Sequence, residues 1–145
     1  MTASLKLLID SDLAEVATLA RAVRSACAGM FPVSALDEIE IAVVEAINNV
    51  ITHGYGGRRG RDVELQLYLR PEEAVIEIID HALPMQPGLI TGIAEDPFQF
   101  NLADRASWPE GGRGLALIRL NMDHVAYCSR SGENRLRLTK KRRRA

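Results

Sequence analysis

Three places in the sequence combine residue types able to do chemistry. In the first, Glu45, Asn49 and His53 recur at intervals of four. In a helix that spacing sets them on neighbouring positions of one stripe, each about 6 Å above the last. A carboxylate one turn from a carboxamide can divide labour. Glu45 can take a proton as a general base, while Asn49 can offer a neutral oxygen to magnesium, a hard ion that keeps waters and takes phosphate oxygens as further ligands. The same spacing also describes an ordinary solvated helix face, but the rest of this helix is apolar. Asn48 points about 100° away and has a supporting role. His53 fits a helix C-terminus, where its ring satisfies carbonyls, and Tyr55 reads as packing.

The second place is the apolar run Val75-Ile76-Glu77-Ile78-Ile79-Asp80, which passes into His81-Ala82-Leu83-Pro84. An acid where such a strand becomes a loop can accept a hydrogen bond from a purine amino group, although aspartate is also a common turn former. In the third, Gly111-Gly112-Arg113-Gly114 directly precedes Leu115-Ala116-Leu117-Ile118. Glycines at a helix start let the backbone approach an anion and aim free N–H groups at it, and Arg113 adds positive charge. The segment lacks the Gly-Lys-Ser/Thr of a Walker loop and the GxGxxG spacing of a dinucleotide fingerprint.

Five strands and three helices are needed to position these residues. Ser4 to Ile9 reads as a strand, and Asp10-Ser11-Asp12 offers N-cap oxygens to a helix ending near Ala28, with Gly29 as its stop. Leu13, Val16, Ala17, Leu19, Ala20 and Val23 give that helix its apolar stripe. Ser34 is the expected cap of the helix bearing Glu45, with Asp37 three residues on in a variant of the capping box. Gly54, Gly56 and Gly57 end it. Strands 62–69 and 74–80 follow as a hairpin. Periodicity is lost over 81–112, and a connection of that length is usually functional. A helix from Gly112 to Met122 and strands 124–130 and 134–140, turning at Ser131-Gly132, complete the set. Hairpin-joined strands with helices clustered between them imply an α+β fold. We expect a two-layer α/β sandwich in which helices cover one face of a mixed, largely antiparallel sheet.

At 145 residues and 47% hydrophobic content the chain can bury one core. Residues 1–140 read as a single domain and 141–145 as a basic C-terminal tail. Charged residues break every long apolar stretch, so neither a membrane span nor a signal core is present, and a cytoplasmic location is expected. Cys27 and Cys128 lack metal-ligand spacing and read as reduced core thiols. The net charge of -1 conceals an asymmetry: Lys140 to Arg144 hold five of the 18 cations, leaving 13 against 19 acids. A frayed, solvated end is the simplest reading of those five. With few aromatics, none interleaved with the basic residues, direct nucleic-acid binding is not expected.

Together, the order and spacing of the three motifs resemble the N, G1 and G2 boxes of the histidine-kinase-like, or Bergerat-fold, ATPases. Glu45-Ala46-Ile47-Asn48-Asn49-Val50-Ile51-Thr52-His53-Gly54-Tyr55 is similar to the E-A-x-x-N-x-x-x-H-x-Y helix of the anti-sigma-factor serine kinases. Gly112-Arg113-Gly114-Leu115-Ala116-Leu117-Ile118 is similar to their G-R-G-L-x-L-I segment. The likeness runs from about Ser4 to Lys140. It implies ATP and Mg2+ as cofactors, Glu45 as catalytic base, Asn49 as magnesium ligand and Asp80 as adenine reader. It further implies that Gly112, Arg113, Gly114 and Leu115 contact phosphates through their backbone, and that a lid spans about Pro97 to Glu110. The activity implied is phosphoryl transfer to a serine of an anti-sigma-factor antagonist, alongside sequestration of a sigma factor by a homodimer.

One departure stands out. The family pattern after the acid is D-x-G, and here Ala82 replaces the glycine. If that position needs φ > 0 or touches the base, a methyl group is unfavourable and nucleotide binding weakens. A non-catalytic interaction module on the same fold is therefore a second reading. A detached histidine-kinase ATP-binding domain is a third, weakened because no phosphoacceptor helix pair precedes it.

Overall fold

Alternation along the strands decides which face of the sheet is covered. In the computed structural model, which describes residues 3–84 and 113–143, the elements follow the expected order. They are β1 (Leu5–Asp10), a 3₁₀ turn (Leu13–Glu15), α1 (Val16–Cys27), α2 (Val33–Asn49), a π-helical turn (Val50–Gly54), β2 (Asp62–Leu69) and β3 (Glu73–Asp80). After these come α3 (Arg113–Asn121), β4 (His124–Arg130) and β5 (Glu133–Lys141).

The strands form one sheet in the order β1-β2-β3-β5-β4. All pairings among the described residues are antiparallel, so no parallel pair accompanies the largely antiparallel sheet expected. One row across it runs Leu7, Leu65, Ile78, Leu136, Tyr127. Because side chains alternate with period two, that row and its i±2 neighbours share a face. α1, α2 and α3 pack over that face and close the core with Leu19, Val23, Ile39, Val43, Ile47 and Ile118. Each of these is at most 2% exposed, and burying a side chain of this size contributes about 1.5–3 kcal/mol. β3 is central and buried on both faces. Val75, Glu77 and Ile79 lie on the side away from the helices, where their cross-strand neighbours include Tyr68, Arg137 and Arg135.

Local chemistry departs from expectation at three places. Asp12 does cap its turn, accepting from the Ala14 N–H at 3.0 Å, but Ser34 does not cap α2. The helix starts at Val33 behind Pro32, without a side-chain cap, since proline's fixed φ already suits a chain entering a helix. Asp37 is drawn instead to Arg24 of α1, 2.6 Å away, joining the two helices.

The basic end is tied down through Arg143 rather than frayed. Lys140 is buried, its Nζ donating to the Asn121 carbonyl at 2.6 Å and pairing with Glu38 at 3.3 Å. The Arg142 N–H donates to the Glu72 carbonyl at 2.8 Å, and Arg143 pairs with Asp123 at 2.9 Å. Finally, Cys27 is a core thiol as expected, but Cys128 is exposed, because β4 turns it away from the helices. Among the described residues no helix is long and apolar enough to cross a membrane.

Candidate functional site at the end of the central strand

The alternation that buries Ile76 and Ile78 against the helices carries Asp80 to the same face, at the last position of β3. There it stands opposite Asn134 of β5, and the two are 7% and 2% exposed. The Asn134 Nδ2 donates to Asp80 Oδ1 and to the Ala82 carbonyl, both at 2.8 Å. The Ser129 hydroxyl donates to Asn134 Oδ1 at 2.7 Å. Asp80 Oδ1 also accepts from the Ala82 N–H at 2.9 Å, the local turn that aspartate favours. Oδ1 thus serves two donors. Among the described residues Oδ2 has no bonded donor.

The strand end is closed from below by the π-helical turn. Gly54 abuts Ala82 so closely that a Cβ built on Gly54 would lie 2.8 Å from the Ala82 methyl. Tyr55 follows, its hydroxyl donating to the Asp62 carbonyl at 2.7 Å and accepting from the His81 N–H at 2.9 Å. Burial pushes the Tyr55 phenol above its ordinary value; the His81 bond opposes this, and the charges of Asp80 and Asp62 add to it. The β4–β5 hairpin reaches the same loop, with His81 Nδ1 3.3 Å from the Gly132 carbonyl oxygen. Its two-residue turn, Ser131-Gly132, has positive φ at both positions, the geometry that matches hairpin twist and sets Ser129 opposite Asn134.

Ala82 itself is unstrained. Among the described residues Ser131 is the one non-glycine with positive φ, so the backbone objection to Ala82 does not hold.

Glu45 lies half-buried on α2, and Asn49 is that helix's last residue, also half-buried. The helix then widens into the π turn, so the single stripe expected for Glu45, Asn49 and His53 holds only for the first two. Such π turns are frequent at functional sites. His53 is exposed in the final turn. α3 begins at Arg113 and packs on α2. Arg113 and Gly114 form its first turn, while the Leu115 side chain is buried in the core, which leaves its backbone as the part able to meet a ligand. Gly112 and the lid expected over 97–110 lie outside the described residues.

A family model described as histidine kinase-like ATPase domain matches residues 9–140. The chain belongs to this family. The fold of the ATPase domain also resembles a solved structure, the mycobacterial sensor histidine kinase MprB, with a TM-score of 0.52 and 18% identity over 93% of this chain and 97% of that one. Among curated proteins, none matches.

The donor set at β3 suits a nucleotide base. Among the described residues Asp80 is buried, is held by neutral dipoles rather than cations, and has one oxygen without a bonded donor. Among the described residues no group of three or more His, Cys, Asp or Glu could hold a metal by itself. Asn49 could therefore bind magnesium only together with other oxygens, such as those of phosphates. Sequence reasoning missed Asn134, Ser129 and Gly54, and read Tyr55 as packing alone. The one signal for Asn134 was its place two residues after a hairpin turn, which puts it across from the end of another strand.

Proposed function

We propose that this ATPase domain binds ATP with magnesium and transfers the γ-phosphoryl group to a serine of an anti-sigma-factor antagonist. We further propose that it sequesters a sigma factor, acting as a homodimer in the cytoplasm. The observation that carries the nucleotide reading is Asp80, fixed at Oδ1 and open at Oδ2. In this reading Oδ2 accepts the adenine amino group, the Asn49 carboxamide oxygen faces the metal, and backbone N–H groups of 112–115 face the phosphates. Glu45 orients the attacking serine hydroxyl and takes its proton. Bound magnesium–ATP supplies the transferable group and the positive charge that steadies it, so the protein's own contribution is mostly positioning. The choice of a serine kinase rests on the likeness of residues 45–55 and 112–118 to that branch.

Calorimetric titration with ATP and GTP, with and without magnesium, tests the binding half. We expect ATP to bind with magnesium-dependent affinity and GTP to bind more weakly; no heat at millimolar ATP favours the non-catalytic interaction module. The catalytic half is tested by Glu45→Gln, which should leave ATP affinity within a few-fold while lowering phosphotransfer to the antagonist by roughly 10²- to 10⁴-fold. Serine labelling at the parental rate in Glu45→Gln removes Glu45 from the role.

A further inference from the structure

Asp80 alone could not present a single acceptor. A carboxylate at a strand end can rotate about its last torsion and exchange its two equivalent oxygens, and such terminal torsions are broad. Here rotation is blocked, because Oδ1 holds two donors at once, the Ala82 N–H and the Asn134 amide. Asn134 is in turn fixed at both ends. Its Nδ2 uses both hydrogens, on Asp80 and on the Ala82 carbonyl, and its Oδ1 takes the Ser129 hydroxyl. Turning the amide over would set an oxygen 2.8 Å from both Asp80 Oδ1 and the Ala82 oxygen, acceptor against acceptor. The two acceptors, Asp80 Oδ1 and the Ala82 carbonyl, break the symmetry of the amide, the Ser129 hydroxyl satisfies its oxygen, and Asn134 breaks the symmetry of the carboxylate, leaving one oxygen with one direction.

We infer that Asn134 is a specificity-determining positioning residue: through the chain Ser129–Asn134–Asp80 it fixes the one carboxylate oxygen that reads the base. The inference rests on the reading of Asp80 as the adenine acceptor. Adenine offers an amino group where guanine offers a carbonyl, so a fixed acceptor accepts the first and repels the second. A freely rotating carboxylate, or one already bonded through both oxygens, would discriminate less. Because Asn134 is neutral, it orients Asp80 without cancelling its charge, as a cation in the same place would.

The test compares affinities for ATP and GTP, measured by competition against a fluorescent ATP analogue, in the parent and three variants. Asn134→Asp keeps the shape but sets an acceptor against Asp80. It should lower ATP affinity about 10- to 100-fold, as the loss of a hydrogen bond to a charged group does, and bring the ATP:GTP ratio close to one. Asn134→Thr retains a donor on a strand-favouring residue and should recover most of the ratio, to within about fivefold of the parent. Ser129→Ala leaves the Asn134 oxygen without its donor, loosens the amide's hold on Asp80 and should cut the ratio about two- to fivefold. Should Asn134→Asp fail to fold, Ser129→Ala carries the same comparison, with Asn134→Thr as the variant that keeps the donor.

A purely structural role would lower ATP and GTP affinity together. A parental ATP:GTP ratio in Asn134→Asp, or in Ser129→Ala where Asn134→Asp does not fold, therefore overturns the inference while leaving the Asp80 reading intact. Equal ATP and GTP affinity in the parent itself overturns that reading, and the inference with it.

Discussion

Two buried carboxylates sit three residues apart on β3, one on each face, and the protein treats them differently. Glu77, 4% exposed, faces away from the helices and is saturated. Its Oε1 takes the Arg135 guanidinium at 3.0 Å, and its Oε2 takes Arg137 through two bonds at 3.1 and 3.0 Å. Partial burial works against the Arg135 charge, but Glu77 and Glu133 outweigh it and raise its pKa. Asp80, on the helix side, has no such cation among the described residues. It is held by an amide and a backbone N–H at one oxygen only. A buried carboxylate matched by cations at both oxygens has nothing left to offer, whereas one held by neutral dipoles at a single oxygen keeps both charge and a direction. Burial alone does not separate the two acids; the unfinished hydrogen bonding does, and on it rests the proposal that Asp80 reads the base.

The largest expected effect breaks this contrast from both sides. In Asp80→Asn the oxygen can still accept from Asn134, so the open atom becomes an amide donor facing the adenine amino group. We expect ATP affinity to fall by about 1.5–3 kcal/mol. Glu77→Gln removes a charge between two arginines that can rehydrate, with side-chain exposures of 41% and 59%. It should cost about 1–2 kcal/mol of stability and leave ATP affinity within about twofold. Calorimetry for affinity and urea denaturation for stability, run on both variants, check the pair. ATP affinity lost equally in the two variants would remove the distinction.

A third buried acid sharpens the same point, since it has no charged partner among the described residues. Burial pushes the Cys27 thiol up from 9.0 to about 11, so it stays protonated in the fold. The folded value is raised above the unfolded one. Below pH 9 both states hold the proton and stability is complete; between about 9 and 11 only the unfolded state releases it, and stability falls. At about 1.36 kcal/mol per unit, the loss is on the order of 3 kcal/mol. Alkaline denaturation should show this limb, flattened in Cys27→Ala. The raised Tyr55 phenol adds in the same direction at higher pH. An alkaline limb as steep in Cys27→Ala as in the parent would assign it elsewhere.

The strands were legible because β2 alternates Val63, Leu65, Leu67 and Leu69 with polar residues, a pattern with one physical reading. β3 was legible as a strand but not by face. Val75 to Ile79 is apolar almost throughout because the central strand is covered on both sides, so Glu77 and Asp80 looked alike. The phase of Asp80 came only from its register against β5. Asn134 was hidden for the same reason, since its importance lies in a cross-strand partner 54 residues away. Glu45, Asn49 and Asp80 could be picked out because their spacing follows from one helix and one strand end. The π turn could not, since Val50–Gly54 carries no mark separating it from ordinary helix.

The smallest effect concerns the contact under the Asp80 loop. Gly54 does not have a positive φ, so alanine there meets no backbone objection; the obstacle is the Ala82 methyl, 2.8 Å from the new Cβ, well inside the roughly 3.5–4 Å of a comfortable carbon contact. Gly54→Ala should push on Ala82 and loosen its bonds to Asp80 and Asn134. Ala82→Gly removes the methyl but adds freedom to the unfolded chain, costing about 0.5–1 kcal/mol. Since Ala82 is unstrained, this change relieves nothing and should not tighten ATP binding. Combined, the two substitutions exchange the positions of methyl and hydrogen across the contact. The double variant should therefore be more stable than the sum of the single losses predicts, with a coupling of about 1 kcal/mol. Urea denaturation of all four proteins measures that coupling. Strict additivity would mean that Gly54 and Ala82 do not press on one another, and that the glycine missing after Asp80 has no counterpart in the helix beneath it.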